Sequence, residues 1–168
     1  IKEGEISDIS QNIPESDWTV IDGDGAYILP GLIDMHVHVW DEYELGVYLA
    51  NGVTAVRNLW GQPMHLRMKQ AINEEKIIGP LFFTSSPKLT GPVYIGDDNL
   101  QMNSPQEAID KVKEYKLKGY DFIKTYNGLT RDIYDAVIKE SRKQGLEIAA
   151  HPSSEVPYFY HIENEVVT

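Results

Sequence analysis

The sequence predicts an α/β protein with parallel strands. Five short apolar segments recur along the chain, and the pattern of strand, loop, helix, glycine and next strand appears four times. Strands that alternate with helices in this way pair in parallel. Ligands of such folds gather where the strands end, at their carboxyl side. The alternation alone does not distinguish a closed barrel from an open sheet.

Composition excludes several classes of protein. The chain has 168 residues, of which 42% are hydrophobic and 24% charged, which is enough for a domain with a core. A net charge of −11 argues against nucleic-acid binding. The absence of cysteine excludes disulfides and thiolate metal sites. No apolar run reaches membrane-spanning length, and no signal peptide is visible.

The cellular compartment stays open. We expect a soluble protein, cytoplasmic or exported, that binds neither nucleic acid nor membranes. Because the chain starts at Ile1 rather than Met, the interpretation allows for a trimmed N-terminus and a lost targeting segment.

The first 31 residues predict a short β-hairpin. Apolar residues at 19–21 and 27–29 flank the turn sequence Gly-Asp-Gly at 23–25. Such a hairpin has too little core to stand alone. Residues 1–31 are therefore assigned to a small domain, and residues 32–168 to the α/β domain.

The following stretch, PGLIDMHVHVW at 30–40, is the one on which the functional prediction depends. After the turn at Pro30, its apolar positions predict a buried strand. Side chains alternate faces along a strand, so His36 and His38 point the same way, with Asp34 on the same face. Imidazoles suit Zn²⁺ and similar ions, and the pair predicts half of a metal site.

The pattern then predicts the remaining elements. Asp41 caps the first helix, and a capping box at 104–107 starts the third. The long segment 86–103 indicates either a lid or binding loop or a tolerated insertion. Helices are expected at 42–51, 64–78, 105–118 and 130–144, and strands at 53–58, 81–84, 121–126 and 146–150.

Two further site candidates lie in later strands. Lys124 is in the strand at 121–126, and His151 follows the last predicted strand. A lysine ammonium cannot bind a metal, but desolvation and nearby cations lower its pKa, and the neutral amine can take up carbon dioxide to form an anionic carbamate. Taken alone, Lys124 reads as a strand-end lysine that reaches solvent, and His151 as a loop histidine. Their spacing across successive strands favours one shared metal site.

These motifs resemble a known family. The PGLIDMHVH stretch at 30–38 resembles the signature of the amidohydrolase superfamily, and NGVTAVR at 51–57 resembles the second-strand segment of its imidazolonepropionase-like and prolidase-like branch. FIK at 122–124 and AAH at 149–151 match the expected lysine and third histidine. The resemblance is to the N-terminal portion of such a protein. It implies a partial TIM (β/α)8 barrel of about five strands, preceded by a β-hairpin that belongs to a small β-sandwich domain.

The resemblance also implies a reaction and roles. It implies a metal-dependent hydrolase that cleaves carbon–nitrogen bonds (amide, cyclic amide or dipeptide-like) by metal-activated hydroxide. His36 and His38 would bind the more buried divalent metal, Lys124 would bridge as a carbamate, and His151 would bind a second metal. Zinc is expected, one or two ions in a complete site. Tyr126 would contact a small-molecule substrate.

The chain departs from the family in three places. The expected histidine after strand six and aspartate after strand eight are absent from the sequence given, and His161 follows His151 too closely to be the former. Asn58 stands where relatives often carry aspartate. We therefore expect the isolated chain to be inactive and to need its missing C-terminal half or a second chain. Residues 165–168 would begin a sixth strand, and the complete protein is expected to be a homo-oligomer.

Two alternatives stay open. One is a mononuclear deaminase or a phosphoester hydrolase of the same architecture. Lys124 argues against the deaminase, because a deaminase site needs no bridging lysine. The other is a non-catalytic binding or assembly fragment that keeps the family motif.

Overall fold

The computed structural model describes residues 1–12, 17–92, 94 and 100–164. The chain divides into two compact units, Ile1–Pro30 and Gly31–Thr168. Within the described part of the first unit, the β contact is an isolated antiparallel bridge between Lys2 and Glu5. The amide of Ala26 donates to the carbonyl of Gly23 (2.8 Å), so the predicted turn forms.

The predicted hairpin is not observed. Residues 19–22 and 27–29 form no strand, and Val20, Ile21 and Ile28 are exposed. A two-stranded ribbon gains too little burial to be stable unless it joins a larger sheet, and here these residues bury little apolar surface.

The second unit contains seven strands and five helices among its described residues. The strands are β1 (Leu32–Val37), β2 (Val53–Asn58), β3 (Leu81–Thr84), β4 (Leu89–Thr90), β5 (Leu100–Gln101), β6 (Phe122–Thr125) and β7 (Glu147–Ala150). The helices are α1 (Tyr43–Ala50), α2 (Pro63–Asn73), α3 (Pro105–Lys118), α4 (Arg131–Gln144) and α5 (Tyr158–Glu163).

All strand pairs of this unit are parallel, as predicted. One sheet has the order β1-β2-β3 and the other β5-β4-β6-β7. The two sheets meet where β3 approaches β6. There Ser85 bridges Phe122, and the amide of Ser86 donates to the carbonyl of Phe122 (2.8 Å). The carboxyl ends of β1, β2, β3 and β6 therefore follow one another along one edge.

The helices cover one face of the strands. Val37, Val56 and Phe82 pack with Leu45 of α1 and with residues of α2. In the other sheet, Ile123 packs in the larger core cluster with residues of α3 and α4. Because side chains alternate along a strand, the neighbouring positions face the opposite side.

That opposite face carries the polar groups of interest. The guanidinium carbon of Arg57 lies 5.7 Å from the ring centroid of Phe122, and the ring of Phe83 lies 6.5 Å from that of Phe122. Lys124 follows Phe122 by two positions, so its side chain points to the same side as these residues.

Helix caps explain several element boundaries. Ser104 accepts a hydrogen bond from the amide of Glu107 (3.2 Å), and the Glu107 carboxylate accepts one from the amide of Asn103 (2.7 Å). The predicted cap at Asp41 is wrong, because α1 begins at Tyr43 with Glu42 at the N-cap position and without a side-chain capping hydrogen bond. The Asp41 carboxylate, one residue earlier, accepts a hydrogen bond from the amide of Tyr43 (2.9 Å). Helix α2 ends at Asn73 rather than at 78, and Glu75 beyond it has a positive φ of 56°.

Three elements were not predicted. The short strands β4 and β5 lie within the segment 86–103, and α5 follows His151. Strands of two residues and a helix of six are too short to give a readable hydrophobic period. The predicted sixth strand at 165–168 lies outside the described residues.

Candidate functional site

His36 and His38 lie at the carboxyl end of β1, and both are exposed. Their ring centroids are 5.5 Å apart. The carboxylate of Asp34, predicted to share their face, accepts a hydrogen bond from the amide of His36 (3.1 Å). The two imidazoles thus stand side by side on a strand end, as the alternation predicted.

Asn58 fixes the end of β1 against its neighbours. Its side-chain oxygen accepts from the amide of Val39 (3.0 Å), and its side-chain nitrogen donates to the hydroxyl of Thr84 (3.0 Å). Asn58 is fully buried. An amide can both donate and accept in this way, which an ionised aspartate cannot. The departure from the family pattern thus has a structural role here.

Lys124 is buried in β6, with 3% of its surface exposed. The hydroxyl of Ser86 accepts from its backbone amide (2.9 Å). Burial, followed by the positive charges of Arg57 and Lys88, lowers the pKa of Lys124 from 10.5 to about 8. Among the residues that the structure describes, no carboxylate forms an ion pair with it. In a substantial fraction of the molecules, the amine of Lys124 is therefore uncharged at a pH slightly above 7.

His151 follows β7 directly. Its amide donates to the carbonyl of Thr125 (3.0 Å), and its ring packs on that of Tyr126 with centroids 4.7 Å apart. Burial and then the charges of Lys124 and Lys88 lower the pKa of His151. Tyr126 also contacts the ring of Tyr94 (5.4 Å).

The four predicted site residues share one electrostatic neighbourhood. Burial and then the charges of Lys124, Arg57 and His151 lower the pKa of His36, against a smaller opposing effect of Asp34.

The same holds for the second histidine of the pair. Burial and then the charges of His36, Lys124 and Lys88 lower the pKa of His38. The paired imidazoles are therefore neutral at neutral pH, which is the form that binds a metal ion.

Aromatic rings and one further cation surround this neighbourhood. The ring of Trp60 lies 6.3 Å from that of His38 and 4.3 Å from that of Trp40. The ammonium of Lys88 lies 5.9 Å from the ring centroid of Trp60 and 5.1 Å from that of Tyr126.

Sequence reasoning missed Arg57, Trp60 and Lys88. Arg57 lies near the end of β2, Trp60 two residues after it, and Lys88 four residues after β3. The rule that sites form beyond the carboxyl ends of parallel strands could have identified them, since it was applied only to histidine and lysine within strands.

The donor set present is partial. In the described part of the chain, no group of three or more histidine, aspartate or glutamate side chains is arranged to hold a metal ion. His161 lies in α5, where its Nδ1 is 2.6 Å from the hydroxyl of the buried Tyr134, and it is not among the groups whose charge acts on the site. The paired imidazoles suit a divalent metal, and Lys124 would fit as a ligand only after its amine gained an anionic group.

None of the helices within the described ranges combines the length and the apolar character that crossing a membrane requires.

Comparison with known proteins gives local sequence similarity and broad structural similarity. No protein-family model matches the chain. A dihydroorotase of Caldanaerobacter subterraneus is 51% identical over 39 residues, which is 23% of this chain and 9% of that protein. A bottromycin amidohydrolase structure superposes with a TM-score of 0.76 at 24% identity, over 80% of this chain and 31% of that one.

A second solved structure, a Xaa-Pro dipeptidase with methionine bound in its active site, has a TM-score of 0.63 at 24% identity over 75% of this chain. The matched part is 44% of that dipeptidase, so the chain spans less than half of either of these two structures. The chain thus shares the fold of amidohydrolase structures, and a short segment of it is half identical to a dihydroorotase.

Proposed function

We propose that this chain forms part of a metal-dependent hydrolase of carbon–nitrogen bonds in amides, cyclic amides or dipeptide-like compounds. We further propose that its strands β1, β2, β3, β6 and β7 are consecutive main strands of a (β/α)8 barrel. One observation carries the proposal. His36, His38, Lys124 and His151 lie in or directly after three strands, β1, β6 and β7, and the positive charge of Lys124 lowers the pKa of all three histidines.

The histidines supply neutral nitrogen ligands. His36 and His38 would hold one divalent ion and His151 a second, with zinc as the expected metal. Burial lowers the pKa of each imidazole, so ligand nitrogens are free at neutral pH without the cost of removing a proton. A bound divalent metal lowers the pKa of water to about 7 and so supplies a nucleophile at neutral pH.

Lys124 supplies the anionic ligand. Its neutral amine would attack the carbon of carbon dioxide, so that a C–N bond forms while one C=O π bond opens to give the carboxylate, and the nitrogen would lose one proton to solvent. The lowered pKa makes the neutral amine available. The positive charges of Arg57 and Lys88 repel the ammonium form of Lys124. The same charges would attract the carbamate, which is an anion. The surroundings of Lys124 thus favour the modified form.

Tyr126 is proposed to contact the substrate. Its ring packs against His151 on one side and against the ammonium of Lys88 on another. A phenol at this position can orient a polar group of the substrate relative to the metal ligands.

The relatives support the reaction class. They are named as a dihydroorotase, an amidohydrolase and a Xaa-Pro dipeptidase. The burial of Lys124 without a carboxylate partner among the described residues favours a bridged, two-metal design over the mononuclear deaminase, which needs no such lysine. The exposed apolar side chains of β1 favour further repeats or a second copy that completes the barrel.

Zinc binding by the full chain tests the proposal. In bicarbonate buffer, isothermal titration with zinc should show binding by the wild type. The double variant His36→Gln/His38→Gln should weaken zinc binding at least about tenfold. A stoichiometry of two ions supports the binuclear design, and one supports the deaminase alternative.

His161→Asn serves as the matched control, because this histidine is bonded to Tyr134 and is not proposed as a ligand. Circular dichroism checks that each variant is folded. Equal zinc affinity in the wild type and the double variant, or a loss confined to His161→Asn, would contradict the proposal.

A further inference from the structure

Lys88 is held in place beside the proposed site. It immediately precedes β4, and its carbonyl accepts a hydrogen bond from the amide of Leu100 (3.1 Å). Its side chain is partly buried, and its ammonium lies over the rings of Trp60 (5.9 Å) and Tyr126 (5.1 Å). Two aromatic faces attract the cation and shield part of it from water, so that it stays at this position.

The charge of Lys88 is directed into the site, and it is not neutralised by an ion pair within the described ranges. Among the ion pairs of the described residues, none includes Lys88. Its positive charge acts on His38, Lys124 and His151. The chain as a whole has a net charge of −11, so a local group of positive charges in this acidic protein requires a functional explanation.

Arg57 does not fill the same role. It is buried, its Nε donates to the carbonyl of Met35 (2.8 Å), and its guanidinium faces the ring of Phe122. Lys88, by contrast, is partly exposed, and no hydrogen bond of its ammonium is found among the described residues. It therefore has donors available for a ligand.

We infer that the ammonium of Lys88, held between Trp60 and Tyr126, binds a carboxylate of the substrate. The substrate class is then an amide that carries a carboxylate. This inference rests on the proposed function, since it places the carboxylate next to the groups that would cleave the C–N bond. An ammonium partly shielded by two rings forms a strong, charge-assisted hydrogen bond with a carboxylate.

The inference predicts a preference that can be measured by binding alone. Calorimetry on the full chain compares N-acetylglycine with its neutral analogue N-acetylglycinamide, with and without zinc. The wild type should prefer the carboxylate about tenfold, and Lys88→Met should lose most of that preference. Lys88→Arg, which keeps the charge, should retain part of it.

Lys116→Met is the matched control, because Lys116 is an exposed lysine near the end of α3. It should behave as the wild type. Inorganic phosphate is the competing probe. Binding of phosphate that is tighter than that of N-acetylglycine and depends on Lys88 would overturn the assignment to a carboxylate.

Two results overturn the inference itself. They are a wild type without preference for N-acetylglycine, and a preference unchanged in Lys88→Met, as would occur if the carboxylate bound only to zinc or to Lys124. Zinc binding by the wild type tests the proposed function separately. If zinc binds but Lys88→Met keeps the preference, the inference fails and the proposed function stands. If zinc does not bind but the preference depends on Lys88, the proposed function fails, and Lys88 binds a carboxylate that is not the substrate of a metal-dependent hydrolase.

Discussion

Lys124 combines three features that rarely occur together in a lysine. It is almost fully buried, its charged neighbours Arg57 and Lys88 are cations, and no described carboxylate pairs with it. A buried charge without a partner is costly. The same surroundings that destabilise the ammonium favour a negative group on this side chain.

The stability of the chain should therefore depend on pH through Lys124. The pKa is about 8 in the folded chain and 10.5 when unperturbed. Between these values the unfolded chain binds a proton that the folded chain does not, so the free energy of unfolding rises with pH above about 8. Below about 8 the full cost of the buried charge remains.

Lys124→Met should raise the free energy of unfolding at pH 7 by about 2–3 kcal/mol and abolish this rise. Urea unfolding from pH 7 to pH 9.5, in buffer free of metal and carbon dioxide, measures both effects. Lys116→Met is the control and should follow the wild type. A variant less stable than the wild type at pH 7 would show that the amine makes a stabilising contact instead.

At the residue scale, strand periodicity was informative where side chains project from regular strands. His36 and His38 were paired correctly because alternation places both on one face. Trp60 and Lys88 were missed because they lie in connecting segments, where no period predicts side-chain direction. Only the folded chain brings these two together, across the ends of β2 and β3.

Among the elements, the segments that follow β2 and β3 approach each other very closely. A Cβ added at Gly61 would overlap the carbonyl oxygen of Ser85. A similar close approach occurs after β4 and β6, where a Cβ added at Gly91 would overlap the carbonyl oxygen of Gly128. The amide of Gly61 also donates to the Ser85 hydroxyl (3.2 Å). Because Trp60 precedes Gly61, this contact positions an aromatic ring of the proposed site.

Gly61→Ala should therefore destabilise the chain by about 2 kcal/mol or more, since the added methyl group would overlap the backbone of Ser85 and Ser86. Gly46 offers a matched control, because it lies in α1 with open space around its Cα. Gly46→Ala should stabilise the chain by about 0.5–1 kcal/mol. Thermal unfolding of the two variants compares them directly, and equal effects would contradict the close approach.

The elements most accurately predicted were those with strong end signals. Helix α3 spans residues 105–118, as predicted, because Ser104 caps its start and Gly119, at a φ of 90°, ends it. The hairpin at 19–29 was predicted from a turn signal and the short apolar segments that flank it. The turn formed without the strands, because a local signal cannot supply the sheet partners that strands require.

On the scale of the whole molecule, β1 presents an apolar surface that nothing in the described chain covers. Ile33 and Met35 share a face with the buried Val37, yet are 64% and 52% exposed. In its sheet β1 pairs only with β2 among the described strands, which leaves its other edge free. An open edge next to apolar side chains is a surface that associates with another chain.

The isolated chain should accordingly self-associate at micromolar concentration. Light scattering coupled to size-exclusion chromatography should show species larger than 19.1 kDa. The double variant Ile33→Lys/Met35→Lys should shift the chain towards the monomer. Leu117→Lys, at an exposed position of α3, is the control and should change nothing. A wild type that stays monomeric would contradict the expectation.

The parallel α/β arrangement could be predicted from the alternation of strands and helices, because each repeat is a local pattern. The resemblance to the amidohydrolase superfamily rested on short motifs on β1, β2, β6 and β7. The choice between a closed barrel and an open sheet could not be predicted from the alternation, since it depends on long-range strand pairing.

The contact between Trp40 and Trp60, with His38 beside it, has one more consequence. Neighbouring indoles couple their electronic transitions, and the emission of an indole depends on the groups that surround it. Because the chain has only three tryptophans, its ultraviolet optical signal comes mainly from this spot. The molecule thus contains its own spectroscopic reporter. A ligand that binds beside His38 should change the wavelength and the intensity of the tryptophan fluorescence.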